Sequence, residues 1–192
     1  EQRTRKILDA IHTCGDDGLL ECTERFDGAK LSADQLAVTQ AELFNASLVA
    51  DESLRTAVAE AEKNVAFFAK KSLRKNWQAK NSHGASVGEK FDPFQRVGVY
   101  IPGGTAPLVS TALMTITLAK VAGCKEIVVV TPPGKNGAIN PAILFAARAA
   151  GATEIYRVGG AQAIAALAYG TKTIRRVQKI FGPGNAYVSM AK

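Results

Sequence analysis

Four short apolar runs in the second half of the sequence constrain its fold most strongly. They cover residues 97–102, 127–131, 155–158 and 177–181. None shows the strict alternation of apolar and polar side chains that is typical of a strand with one face in water. Helical segments separate the runs, which gives them the spacing of βαβ units. Because strands without polar alternation are typical of a parallel sheet covered on both faces, the sequence predicts an α/β fold.

The helices between these strands have recognisable start and stop signals. We predict helices over residues 107–122, 141–150 and 161–169, each followed by a glycine. Asn140 is the predicted N-cap of the second, and Pro141 occupies its first helical position. A last helix is predicted to begin near Asn185 and to run to Lys192 without a capping signal. From this we expect that the chain ends inside an element.

The first 80 residues predict helices. Two short helices meet at Gly15, with Asp16 as the predicted N-cap of the second. Asp51 is the predicted N-cap of a long helix, and its apolar stripe requires a packing partner. That stripe consists of Leu54, Val58, Ala61, Val65 and Phe68. The periodicity then fades from Asn76 to Gln95, which predicts a connecting loop or hairpin. We place this connection at residues 81–96, between the helical part and the α/β unit of residues 97–192.

Composition narrows the range of functions. The net charge of +7 could attract nucleic acid, but the densest group of basic residues, in residues 70–80, lies at one helix end and just beyond it. Cations there complement the helix dipole, so we expect no nucleic-acid partner. The longest apolar stretch, residues 111–123, is too short to span a bilayer. We expect a cytoplasmic protein without membrane association.

The three cysteines support the same location. Cys14, Cys22 and Cys124 form no CxxC pair, and one would remain unpaired in any disulfide scheme. We expect all three to be reduced and to serve as small buried hydrophobic residues, as suits a reducing compartment.

Glycine-containing turns follow three of the predicted strands. They are Pro102-Gly103-Gly104, Gly159-Gly160 and Gly182-Pro183-Gly184, and a polar residue comes after each: Thr105, Gln162 and Asn185. Neither a G-x-G-x-x-G fingerprint nor a Walker A loop is present. Glycine in such turns can serve the backbone alone. Three turns at one edge instead indicate a ligand site, because open parallel sheets bind ligands at the carboxyl ends of their strands.

Four motifs carry a resemblance to a known family. VGVYIPGG (97–104), GGAQAIAA (159–166), FGPGNAYV (181–188) and RFDGAKL (25–31) resemble histidinol dehydrogenase in order and spacing. The resemblance implies an incomplete Rossmann-like parallel sheet with helices on both faces, preceded by a helical part. It also implies oxidation of L-histidinol to L-histidine through histidinaldehyde, with NAD as oxidant and zinc in the full-length enzyme.

The resemblance further implies that NAD is bound by Tyr100, Gln162 and Asn185. The residues alone leave an alternative for each of the three. Tyr100 is then a tyrosine of the core, and Gln162 and Asn185 form hydrogen bonds at the starts of helices. The family's catalytic and zinc-binding residues correspond to positions beyond Lys192, so we assign no catalytic and no metal-binding residue. We interpret His12 as a partly buried helix residue and His83 as a solvated loop residue.

The expected functional unit is therefore part of a larger enzyme. We expect this chain alone to be inactive and free of zinc, with weak NAD binding, and the full-length enzyme to be a homodimer. Two alternatives are a non-enzymatic nucleotide- or phosphate-binding module and a dehydrogenase of a related amino alcohol.

Overall fold

A computed structural model of the chain describes residues 1–103 and 107–192. The first half contains α1 (Gln2–Cys14), α2 (Asp16–Asp27), a short 3-10 helix (Ala33–Gln35), α3 (Gln40–Val49), α4 (Glu52–Ser72), β1 (Trp77–Lys80) and β2 (Ser86–Glu89). The second half contains β3 (Arg96–Tyr100), α5 (Val109–Ala122), β4 (Glu126–Thr131), α6 (Pro141–Ala150), β5 (Glu154–Arg157), α7 (Gly160–Tyr169), β6 (Lys179–Phe181) and α8 (Ala186–Ala191). In these described ranges, no helix has both the length and the apolar character to cross a membrane.

Strands β3 to β6 form a parallel sheet in the order β5-β4-β3-β6. Val97 of β3 lies opposite Ile127 of β4, and Val129 of β4 lies opposite Ile155 of β5. The predicted parallel α/β sheet is confirmed. Strand β6 is shorter than the predicted run of residues 177–181, because the Val177 N–H donates to Leu167 O in α7 rather than to a neighbouring strand.

Helices cover both faces of this sheet, as predicted. One apolar core joins Val97, Val99 and Val129 to α3, α4, α5 and α6. A second core on the opposite face joins Val128 and Tyr100 to α1, α2, α7 and α8. The helices that precede the sheet in sequence therefore supply part of both layers.

Local capping signals placed most helix ends correctly. The Asn140 side chain accepts a hydrogen bond from Ala142 N at 2.9 Å, and Asp51 accepts one from Leu54 N at 2.7 Å. Gly123 ends α5 in the left-handed conformation. The prediction for Asp16 was wrong. Gly15 occupies the N-cap of α2, and the Asp16 carboxylate instead accepts a hydrogen bond from Thr173 Oγ1 at 2.7 Å.

The apolar stripe of α4 packs along only part of its length. Val58 is buried in the first core, while Phe68 near the end of the helix is 71% exposed. The connection that follows is an antiparallel hairpin of β1 and β2, whose eight residues are all exposed. The hairpin lies within residues 76–95, where the fading periodicity predicted a connecting loop or hairpin.

The cysteines differ from the expectation in one respect. In the described part of the chain, all three have free thiols, and burial raises the pKa of Cys22 and of Cys124. Only Cys22 is buried, however, whereas Cys124 is half-buried and Cys14 is exposed. Cys14 is the last residue of α1 and lies in solvent, so the prediction that it is buried was wrong.

The segment before α3 covers the free edge of β5. The Val38 N–H donates to Ile155 O, and the Arg157 N–H donates to Leu36 O, each at 2.9 Å. The buried Arg157 guanidinium also donates to Ala37 O at 2.9 Å and pairs with Glu42. Because an unpaired strand edge invites aggregation, this contact protects one side of the sheet.

A buried arginine joins the amino ends of three strands. The Arg96 guanidinium donates to Glu154 Oε1 at 2.6 Å and to Oε2 at 2.8 Å, and it also pairs with Glu126. The Tyr156 hydroxyl donates to Glu154 Oε2 at 2.8 Å. The hydrogen bonds from Arg96 lower the pKa of Glu154, while burial and the Glu154 carboxylate raise the pKa of Tyr156 to about 12.

Replacing this arginine should destabilise the fold. Arg96→Met removes the charge that holds two carboxylates together, and we expect the free energy of unfolding to fall by about 2 kcal/mol. This loss of stability is moderated because the side chains of Glu154 and Glu126 are 30% and 38% exposed. Urea unfolding followed by circular dichroism measures it. Arg175→Ala, an exposed partner of the same carboxylates, is the control with an expected loss below about 0.5 kcal/mol. Equal losses for the two variants would contradict this assignment.

The same cluster should make stability depend on acid. Because the pKa of Glu154 is lower in the folded chain than the value of about 4.3 for an unfolded glutamate, its contribution is complete above that value. It is lost as the pH falls through the folded pKa. Unfolding free energies measured from pH 6 to pH 3 should decline less steeply for Glu154→Gln than for the unmodified chain. Parallel curves would contradict the prediction.

Candidate functional site

A cleft of about 920 Å³ opens where the parallel strands end. Its lining comes from the end of β3, the turn after β4, the start of α7, the residues around the start of α8, and the facing sides of α1 and α2. Its lining includes Tyr100, Gln162 and Asn185. The structure therefore brings the three sequence-predicted residues together in one cleft. Gly104 and Thr105, which belong to the first predicted turn, lie outside the described residues.

Tyr100 is the last residue of β3 and connects the core to the cleft. Its side chain is only 4% exposed and packs in the second core, while its hydroxyl accepts a hydrogen bond from Gly160 N at 3.1 Å. Burial raises the pKa of Tyr100, so the phenol is protonated at neutral pH. A neutral phenol that accepts from the backbone can still donate its own hydrogen to a ligand.

Gln162 lies in the first turn of α7 and is 1% exposed. Its Nε2 donates to Asp27 Oδ2 at 3.2 Å, and the same oxygen accepts from Gly159 N at 3.2 Å. Burial raises the pKa of Asp27, which these two hydrogen bonds oppose. Sequence reasoning missed Asp27. One signal was available, because a carboxylate at the last residue of a helix opposes the helix dipole and therefore needs a partner elsewhere.

Asn185 caps a helix and also lines the cleft. Its Oδ1 accepts a hydrogen bond from Val188 N at 3.1 Å, so the residue caps α8. The residue itself is exposed and lines the cleft. Because the carbonyl end of the amide is engaged by the helix, the NH₂ end is the part that can donate to a ligand.

Glycine is required at residues 159 and 160 by close contacts. A Cβ on Gly159 would lie 2.5 Å from Pro132 Cβ and 2.8 Å from Asp27 Oδ1. Gly160 has a φ of +60°, and its Cβ would lie 2.4 Å from Gln162 Oε1. These glycines therefore allow the cleft residues to approach the backbone, beyond any role in turning the chain.

Charge is mixed around the cleft. Among the described residues, its basic side chains are Arg3, Lys6 and Arg25, and its acidic ones are Glu21 and Asp27. The start of α7 also faces the cleft, and a helix N-terminus attracts anionic groups. The arrangement can accommodate a ligand that combines an anionic group with hydroxyl or amide groups, for which Tyr100, Gln162 and Asn185 offer hydrogen bonds.

Neither histidine belongs to the cleft lining. The His12 ring contacts Tyr169 with ring centroids 4.6 Å apart, and His83 is exposed in the turn of the hairpin. Within residues 1–103 and 107–192, no group of three or more His, Cys, Asp or Glu side chains is arranged to hold a metal ion. The described residues do not fit zinc.

Comparison with known proteins decides the family. The family model for histidinol dehydrogenase matches residues 1–192, the whole sequence. The chain belongs to the histidinol dehydrogenase family. The resemblance that the glycine motifs carried is thereby confirmed.

Individual relatives agree over the same range. The chain is 47% identical to the histidinol dehydrogenase of Symbiobacterium thermophilum over 192 residues, and 47% identical to that of Geobacillus kaustophilus over 195 residues. All of this chain aligns in both cases, against 44% and 46% of the two relatives.

A solved structure supports the fold. The crystal structure of histidinol dehydrogenase from Elizabethkingia anophelis superposes with a TM-score of 0.94 at 38% identity. It covers all of this chain, which in turn covers 44% of that protein. The chain therefore spans less than half the length of the relatives that it matches.

A glycine substitution tests the close contacts at the cleft. Gly160→Ala should lower the free energy of unfolding by more than the roughly 1 kcal/mol that left-handed backbone costs, because its Cβ also displaces Gln162. Gly123→Ala is the matched control. It also has a positive φ of 91°, but its Cβ would meet Pro93 at an ordinary 3.4 Å. Chemical denaturation of both variants measures the difference, and equal losses would contradict the proposed contact.

Proposed function

We propose that this chain forms the NAD-binding part of an NAD-dependent dehydrogenase that oxidises L-histidinol to L-histidine in histidine biosynthesis. The observation that carries the proposal is the convergence of Tyr100, Gln162 and Asn185 on one cleft at the carboxyl edge of a parallel sheet. Family membership supports it, because these residues lie in the three glycine motifs.

Each residue has a defined part in the proposed binding. The neutral Tyr100 phenol, fixed by Gly160 N, donates to a polar group of the dinucleotide. The amides of Gln162 and Asn185 hydrogen-bond its hydroxyl or carboxamide groups, and the positive charges of Arg3 and Arg25 favour its phosphates. When bound, NAD supplies the hydride acceptor for oxidation of an alcohol.

The remaining features of the enzyme are proposed for the longer protein. They are zinc, the L-histidinol site, assembly as a homodimer and a cytoplasmic location. Because the described residues do not fit zinc, no role for this metal is derived from them. The division into a helical part (1–80), a connection (81–96) and an NAD-binding unit (97–192) also remains a proposal. The cleft draws its lining from the first and the third of these.

Direct titration with NAD tests the proposal. We expect saturable binding no tighter than about 1 mM, equivalent to about −4 kcal/mol. Tyr100→Phe should weaken it roughly fivefold, because one net hydrogen bond is worth about 1 kcal/mol. Isothermal titration calorimetry at high protein concentration, supported by thermal shift, measures both values.

Tyr156→Phe provides the matched control for this experiment. Tyr156 is a buried tyrosine in the same core, but its hydroxyl donates to Glu154 at the opposite end of the sheet. It should lose stability without changing NAD affinity. Absence of saturable binding by the unmodified chain up to about 10 mM, tenfold above the expected constant, would contradict the proposed function.

A further inference from the structure

We infer that Asp27 is a positioning residue of the cleft, which holds the Gln162 carboxamide and the Gly159–Gly160 turn in the geometry that binds the dinucleotide. The inference rests on the proposed function for the identity of the ligand. The contacts of Asp27 themselves are independent of that identity.

The geometry connects two distant parts of the chain through one oxygen. Asp27 Oδ2 accepts from Gly159 N and from Gln162 Nε2, each at 3.2 Å, across sequence separations of 132 and 135 residues. Gln162 is almost fully buried, so its amide has few other orientations that satisfy both ends. A carboxylate can only accept hydrogen bonds, so it must face the NH₂ end of that amide. Asp27 therefore engages the NH₂ end of the Gln162 side chain, and the carbonyl oxygen is the end that remains for a ligand.

Packing around Asp27 leaves its carboxylate little room to move. A Cβ on Gly159 would lie 2.8 Å from Asp27 Oδ1, so the carboxylate sits directly against the backbone of the turn. Gly160 N in the same turn donates to the Tyr100 hydroxyl. Two of the three proposed NAD-binding side chains thus contact one turn, and Asp27 fixes the position of that turn.

Local helix stability does not explain an acidic residue at this position. Asp27 ends α2, where the helix dipole disfavours a negative charge, and Gly28 already forms the left-handed C-cap. The carboxylate lies instead beside the start of α7, where a negative charge is favoured. Its charge also belongs to the cleft lining, so a ligand must present a neutral or donor group to it rather than a phosphate.

Asp27→Asn is the primary test, because the substitution preserves size while removing the charge and placing an NH₂ group on the side chain. Both hydrogen bonds go to Oδ2, so an amide can keep them only with its oxygen at that position, and the bonds then lose the charge assistance of the carboxylate. We expect NAD binding by the chain to weaken about tenfold. In a Gln162→Ala background, Asp27→Asn should cause a smaller change than in the unmodified chain, because only the contact of Asp27 with the Gly159–Gly160 turn is then affected.

The Gln162 side chain provides a second measurement that needs no ligand. In a ¹⁵N-labelled sample its NH₂ resonances are identified by their absence in Gln162→Ala. We expect these resonances to shift, and their hydrogen exchange to accelerate at least tenfold, in Asp27→Asn. A residue that only stabilised the packing of α2 would leave this signal unchanged.

Asp16→Asn is the matched control. Asp16 is also a carboxylate of α2 that accepts long-range hydrogen bonds, from Thr173 Oγ1 at 2.7 Å and Thr173 N at 3.4 Å, but it does not line the cleft. We expect it to lower the unfolding free energy while leaving the Kd for NAD and the Gln162 resonances unchanged.

The outcomes separate this inference from the proposed function. If the unmodified chain binds NAD and both aspartate variants change the Kd equally, or neither does, the positioning role is overturned and the NAD site stands. If the unmodified chain does not bind NAD, the proposed function and the ligand named here are overturned. The Gln162 resonances then decide the remaining part, because an unchanged signal in Asp27→Asn overturns the contact as well.

Discussion

Burial of the parallel sheet on both faces is the constraint on which the rest of this structure depends. Successive residues of β4, such as Val128 and Val129, point into different cores and are both inaccessible to solvent. A sheet of this kind is stable only when a helical layer lies on each side. The four helices before the sheet supply part of both layers, which is why α1 and α2 form one wall of the cleft.

The sequence predicted the features that depend on neighbouring residues. Asn140 caps α6 through a contact two residues away, and Asp51 caps α4 through one three residues away. Such signals are readable because the interacting groups are close in the sequence. The strand runs were equally readable, since burial on both faces requires apolar side chains at consecutive positions.

The features that escaped prediction depend on residues far apart in sequence. Asp16 was placed as a cap from its local position, but its partner Thr173 is 157 residues away. Asp27 contacts Gly159 and Gln162 across similar separations, so no local pattern revealed its part in the cleft. The burial of Cys14 depends on which side of the end of α1 another layer covers. The three cleft residues themselves were identified by motif, and only their hydrogen-bond partners required the structure.

The strip of backbone that covers β5 has a consequence for the order of folding. The Arg157 guanidinium donates a hydrogen bond to the carbonyl of Ala37, a residue synthesised 120 positions earlier. At a translation rate of about 5 to 20 residues per second, the early segment waits roughly 6 to 24 seconds before its partner exists. Within that interval α3 and α4 are synthesised, and the apolar sides of the helices before the sheet are not yet covered by the complete sheet. Helper proteins that shield emerging chains would therefore find their binding opportunity on these helices before β5 is synthesised.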